Sequence, residues 1–145
     1  MRKTVIALLM ASAVSAQAAE VTLSHGIDKK MDRDITVVSL GTSVAGFSAS
    51  VDVSRVQDRY HSLGTSLGAT VDVLGVRVVP YVGGAYVHAD TKTLKNGAVA
   101  IGGVEFSLPL SKTVSLTADA SYRWDVNKDT NYQGSVVTFG VKGAF

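Results

Sequence analysis

Eight times between Val21 and Phe145 the sequence alternates large apolar with small or polar side chains, at spacings of roughly a dozen residues, and no helical period competes in these windows. Side chains along a strand repeat with period two, so each such segment has one apolar and one polar face. The clearest runs from 114 to 125, where Val114, Leu116, Ala118, Ala120, Tyr122 and Trp124 oppose Ser115, Thr117, Asp119, Ser121, Arg123 and Asp125. Residues 62 to 73 set Leu63, Leu67, Ala69, Val71 and Val73 against Ser62, Ser66, Thr70 and Asp72, and residues 47 to 54 set Phe47, Ala49, Val51 and Val53 against Ser48, Ser50, Asp52 and Ser54. In the last segment Val137, Phe139, Val141, Gly143 and Phe145 share a face. A chain made of such segments is all-β.

The connections set the register. With Ala45-Gly46 as a two-residue hairpin turn, Val44 faces Phe47 and Val38 faces Val53, so the apolar faces match without adjustment. Leu74-Gly75 treated alike puts Asp72 opposite Arg77 on the polar face and Val71 opposite Val78 on the apolar one, with Val82 and Tyr86 outward and Tyr81 inward. A three-residue turn at 111 to 113 sets Glu105 across from Asp119. Aligning Trp124 with Ser135 in the last pair puts Lys142 one diagonal from Asp119. The other connections, Asp28 to Asp34, Arg55 to Tyr60, Ala89 to Gly97 and Asp125 to Gln133, are longer and alternate strictly with the tight turns. A first strand at Val21 to Ile27 completes eight, with both termini at the tight-turn end.

Soluble sandwiches and soluble barrels alternate too, so the polar face decides. A face that meets water is usually rich in Lys, Glu, Gln and Arg; here it is mainly Ser, Gly, Thr and Ala with isolated charges, which suits the narrow interior of an eight-stranded barrel. The expected fold is an eight-stranded antiparallel up-and-down transmembrane β-barrel with its large apolar residues in lipid. Tyr86, Tyr122 and Trp124 then join the membrane-interface aromatics near the longer loops, and Phe47, Phe106 and Phe145 those near the tight turns.

Export agrees with this placement. Arg2 and Lys3, an apolar stretch from Val5 to Val14 and the small-residue site Ala16-Gln17-Ala18 read as a signal peptide over 1–18, cleaved near Ala18, leaving 19–145 as one barrel domain in the bacterial outer membrane. Two of the 14 Lys and Arg lie in that signal, so 12 remain against 12 Asp and Glu, and a nucleic-acid partner loses its electrostatic support. There is no cysteine, hence no disulfide.

The expected lumenal charges are Asp52, Asp72, Arg77, Glu105, Asp119, Arg123 and Lys142. Facing acids at 105 and 119 need a cation between them, so a Glu105, Asp119, Lys142 cluster is expected, serving either as a plug that satisfies buried charge or as a gate or proton path. His61-Ser62 is the one tempting catalytic pair, and rim histidines as ordinary interfacial residues are the competing reading, so catalysis is not expected. Asp125-Val126-Asn127-Lys128-Asp129 begins like a calcium loop, but Thr130 replaces the required Gly and Val136 the closing Glu; no metal or cofactor is expected. Lys29, Lys30, Arg33, Arg59, Lys92, Lys95 and Lys128 could meet lipopolysaccharide phosphates, though interspersed Asp28, Asp32, Asp34, Asp58 and Asp90 fit ordinary loop solubility equally well.

Gly83-Gly84 followed by Ala89-Asp90-Thr91, then Gly103-Val104-Glu105-Phe106, Tyr122-Arg123-Trp124 and Phe139-Gly140-Val141 through Phe145 resemble the last four strands of the outer-membrane protein A family's barrel; the first half resembles it only in pattern. The resemblance implies a membrane anchor and envelope-stabilising element with a lumen plugged by charges, Glu105 among them. It also implies a terminal strand, with Phe139, Val141 and Phe145, that is read by the barrel-assembly machinery. Longer members carry a further domain, and peptidoglycan anchoring through one is not expected here. The expected function is thus a monomeric outer-membrane barrel supporting envelope integrity, with short loops for lipopolysaccharide or an unknown surface ligand. The alternatives are a narrow porin-like channel and a lipid A-modifying enzyme.

Overall fold

The computed structural model describes residues 19–145; the expected signal peptide, 1–18, and its expected cleavage site lie outside the described residues. Nine strand segments follow one another: β1 (Ala19–Asp28), β2 (Arg33–Val44), β3 (Phe47–Val56), β4 (Tyr60–Ala69), β5 (Val71–Val73), β6 (Val76–Ala89), β7 (Gly97–Pro109), β8 (Val114–Asp125) and β9 (Gly134–Ala144). β4 and β5 are two pieces of one strand, since both pair with β6 and only Thr70 separates them. Pro80, which has no N–H for the ladder, stands one residue beyond the Gly68–Tyr81 pair, beside that interruption. The sheet runs β4-β3-β2-β1-β9-β8-β7-β6 and closes through β4–β6, giving an eight-stranded barrel in which every pairing is antiparallel. Ala19 and Phe145 seal the β1–β9 seam with reciprocal backbone hydrogen bonds of 3.1 and 3.0 Å.

Local chemistry fixes the tight turns. Ala45 and Gly46 have φ of 50° and 82°, Leu74 and Gly75 50° and 83°, so both hairpins turn through two left-handed residues, the turn whose twist matches that of paired strands. The registers they impose are the expected ones: Val44 pairs with Phe47, Val38 with Val53, Asp72 with Arg77 and Val71 with Val78. Glu105 likewise faces Asp119 across β7–β8.

Two expectations need correction. Tyr122, not Trp124, pairs with Ser135, a slip of two residues. An even slip leaves every side chain on its own face, so alternation is blind to it; the loop decides. The Asp125 carboxylate accepts the Tyr132 N–H at 2.9 Å and the Thr130 hydroxyl at 3.2 Å, a fold that delivers Gly134 opposite Arg123. The connection expected over Arg55 to Tyr60 shrinks to 57–59, because Arg55 pairs with His61 and Val56 with Tyr60.

The wall carries its apolar side chains outside. Leu23, Val38, Val53, Val82, Phe139 and Val141 are all exposed, and Leu67 is 67% exposed, while Thr22, Ser24, Ser54, Ser62, Ser107, Thr117 and Thr138 are buried inside. This inverts the arrangement of a water-soluble domain and suits a wall surrounded by hydrocarbon.

Candidate functional site in the barrel lumen

Each strand contributes every second residue to the interior, so the polar faces of eight strands converge on one narrow space. At the turn end, Lys142 is in contact with Glu105, and its Nζ lies 3.7 Å from Glu20, which also lies 3.7 Å from Arg77. Glu20 was not expected in this group, although the Thr22 and Ser24 face extended by two residues reaches it. Asp72 departs from expectation in the other direction. It is exposed, lies outside the cavity lining and receives Arg77 Nε at 3.4 Å, because β5 runs past the end of the lumen to the rim.

Midway, the expected Glu105, Asp119, Lys142 cluster divides. The two-residue slip sets Lys142 opposite Ser115 and Asp119 opposite Thr138, so the cation reaches Glu105 and not Asp119. Asp119 instead accepts the Tyr81 hydroxyl at 3.0 Å. Tyr81 can cross the lumen because its cross-strand partner is Gly103, where a Cβ would lie 2.6 Å from the phenol oxygen. Asp52 accepts the Ser50 hydroxyl at 3.1 Å, and Ser50 in turn shares a 2.7 Å hydrogen bond with Ser66. A cavity of about 140 Å³ runs between these groups, lined chiefly by Ser, Thr and Gly, with room for several water molecules.

The loop end is different. Arg123, 5% exposed, donates to the Tyr60 hydroxyl and lies 3.6 Å from Asp28, and Tyr60 donates to Asp28. Asp28, expected among the loop acids, is 1% exposed and closes β1 by accepting the N–H groups of Lys30 at 2.9 Å and Met31 at 3.1 Å. Above this trio Ile35, Val56, Val87, Val99 and Val136 form an apolar layer with Tyr60 and Tyr132, onto which Met31 and Leu94 pack from the loops. Tyr132 reaches down from the β8–β9 loop, 1% exposed, its ring edge-on to Tyr60 at 5.0 Å and its hydroxyl on the Lys95 carbonyl at 2.8 Å. Burial, then the nearby Asp125 and Asp90 carboxylates, push that hydroxyl's pKa up, so it stays a donor. The sequence hid this layer because its valines alternate like any others, and only closure of the barrel and the returning loop bring them together.

No model of a known protein family matches the chain, and no curated protein does. Solved structures do. The N-terminal β-barrel domain of Pseudomonas aeruginosa OprF superimposes with a TM-score of 0.74 at 12% identity, over 90% of this chain and 98% of that one. Neisserial surface protein A follows at 0.63 and 14%, over 88% and 95%. The Yersinia pestis outer membrane protein Ail gives 0.56 and 8%, over 88% and 99%. The fold is that of the small transmembrane β-barrels.

On this barrel the remaining expected residues lie outside the lumen. Tyr86, Tyr122 and Trp124 are exposed near the loops, Tyr122 and Trp124 packing ring to ring at 5.0 Å, and the Gln133 amide reaches the Tyr122 hydroxyl at 3.4 Å. Phe47 and Phe106 are exposed on the same outer surface, as are Phe139 and Val141 in β9 and Phe145 just after it. His61 and Ser62 do not meet. Ser62 points inward to Ser54 at 2.6 Å, while His61 points outward and holds Asp90 at 2.9 Å, since neighbouring strand residues face opposite ways. Asp125, the first residue of the calcium-like run, spends its oxygens on Thr130, Tyr132 and Gln133 of its own loop.

Proposed function

We propose that the protein is a structural barrel of the bacterial outer membrane with a filled, non-conducting lumen, its four loops outside and its tight turns and both termini in the periplasm. The observation that carries this reading is the apolar layer at the loop end, where Tyr60 and Tyr132, 0% and 1% exposed, cover the Arg123–Asp28 pair. A hydrated ion would have to displace both rings and the salt bridge beneath them. The exposed apolar wall and the export signal support the membrane placement, as does the fold shared with an outer membrane protein. In this reading Phe139, Val141 and Phe145 are the surface met by the barrel-assembly machinery, and the loops are the surface open to lipopolysaccharide or a partner.

Planar-bilayer recording tests it. The wild-type barrel should give no unitary conductance, whereas Tyr132→Ala, which removes the upper ring, should give small steps. Regular steps from the wild type would overturn the filled-lumen reading in favour of a narrow channel, for which the hydroxyl-lined cavity below is the favouring feature. The lipid A-modifying alternative is tested by mass analysis of lipid A from cells with and without the protein.

A further inference from the structure

Arg55 in β3, His61 in β4 and His88 in β6 are direct cross-strand partners in one row. They alternate with the inward Ser54, Ser62 and Val87, so all three project from the outer wall, and all three are exposed. The two imidazoles lie 4.9 Å apart, and Asp90 engages His61 through Nδ1, which leaves Nε2 as the atom to meet a ligand. One outward position below the row stand Val53, Leu63 and Tyr86, all exposed. The row therefore sits where the apolar wall ends and lipid headgroups begin, the height at which an outward Arg is tolerated. A shallow depression beside it is lined by Arg55, Asp58, His61, Asp90 and Thr91. Of its two acids Asp90 is engaged by His61, and Arg59 and Lys92 adjoin the lining residues Asp58 and Thr91 in sequence.

We propose that this row seats a phosphate of a lipid headgroup in the leaflet the loops face, with Arg55 gripping two phosphate oxygens, His88 donating one hydrogen bond, and His61 donating from Nε2 as the imidazolium, its Nδ1–H being held by Asp90. A guanidinium matches that bidentate geometry and a lysine does not. The ligand is a lipid because the apolar side chains directly beneath continue the seat into the region of its acyl chains. This inference rests on the membrane placement proposed above, and its test keeps the two apart.

The barrel, refolded in detergent, is offered lipid A carrying two phosphates, the same lipid A after phosphatase treatment, and inorganic phosphate, and retention is read by native mass spectrometry. Wild type should retain the phosphorylated lipid, and R55Q/H61Q/H88Q should retain about tenfold less. R55K should fall between, and the control K112Q, in the tight turn at the opposite end of the barrel, should match wild type. A heat-dependent gel shift in every variant shows that each is folded. Equal retention by the triple variant, equal retention of the dephosphorylated lipid, or displacement of the lipid by inorganic phosphate at matched concentration would each overturn the seat. If wild type fractionates with the outer membrane and shifts on heating but holds no lipid A, the seat is wrong and the membrane reading stands. If it fractionates with the soluble periplasm, both fail.

Discussion

At the turn end of the lumen Lys142 and Arg77 share Glu20, and Lys142 also holds Glu105, all beside a cavity that water can occupy. At the loop end Arg123 has a single carboxylate, Asp28, and an apolar layer above it. Both arrangements neutralise charge inside the same narrow tube, but they depend on different things. Where each ion has water or a second partner, loss of one contact is made up by the next. Where an ion has one partner and no water, loss of that partner strands a charge in a low-dielectric interior. The interior is thus closed by apolar packing above Arg123, which forms the loop-end limit of the cavity, and more open around Lys142 and Arg77, and substitutions at the two ends should separate accordingly.

The largest separation is expected at Arg123. Arg123→Met leaves Asp28 buried with only its backbone and Tyr60 donors, and should lower stability by about 3–5 kcal/mol. Urea unfolding of the detergent-refolded barrel, followed by the fluorescence of its single tryptophan, Trp124, measures this directly. Adding Asp28→Asn should recover much of the loss, because the stranded charge is then gone. If the single variant unfolds with the wild type, the loop end is wetter than its packing implies and the contrast with the turn end disappears.

A second prediction sets inside against outside at neighbouring positions. Leu67→Arg, on the outer face near mid-wall, should cost about 2–4 kcal/mol in a bilayer, and Ser66→Thr, on the inner face, well under 1 kcal/mol. Equal tolerance would mean that the outer face is not in hydrocarbon. The face assignment behind this pair was legible from alternation alone, and so were the tight-turn registers, because Ala45-Gly46 and Leu74-Gly75 allow only one closure. What alternation could not convey was anything that survives a slip of two. The β8–β9 register, two residues from the expected one, is such a feature, and with it the partner of Lys142. Nor could it convey which inward valines meet across the tube, or that Tyr132 turns inward from the β8–β9 loop to close it, although Asp28 continues the inward face of Thr22 and Ser24 to the end of β1. Those depend on long-range closure, whereas pattern and turn chemistry are local.

The smallest effect, and the sharpest check on the contrast, is at Lys142. Lys142→Met removes the cation from Glu105 but leaves Glu20 with Arg77 at 3.7 Å and leaves the cavity open to water. Glu105 can then hydrate or move toward Arg77. The cost should be about 1 kcal/mol, nearer to that of a solvated ion pair than of a buried one. Adding Arg77→Met removes the second cation, and the double variant should lose more than the sum of the single losses, because each cation covers for the other. The same urea titration decides it. Additive losses would mean that the turn-end charges do not exchange partners. A Lys142 loss as large as that of Arg123 would mean that the lumen is dry along its whole length, and the difference between its ends would then lie only in which side chains fill them.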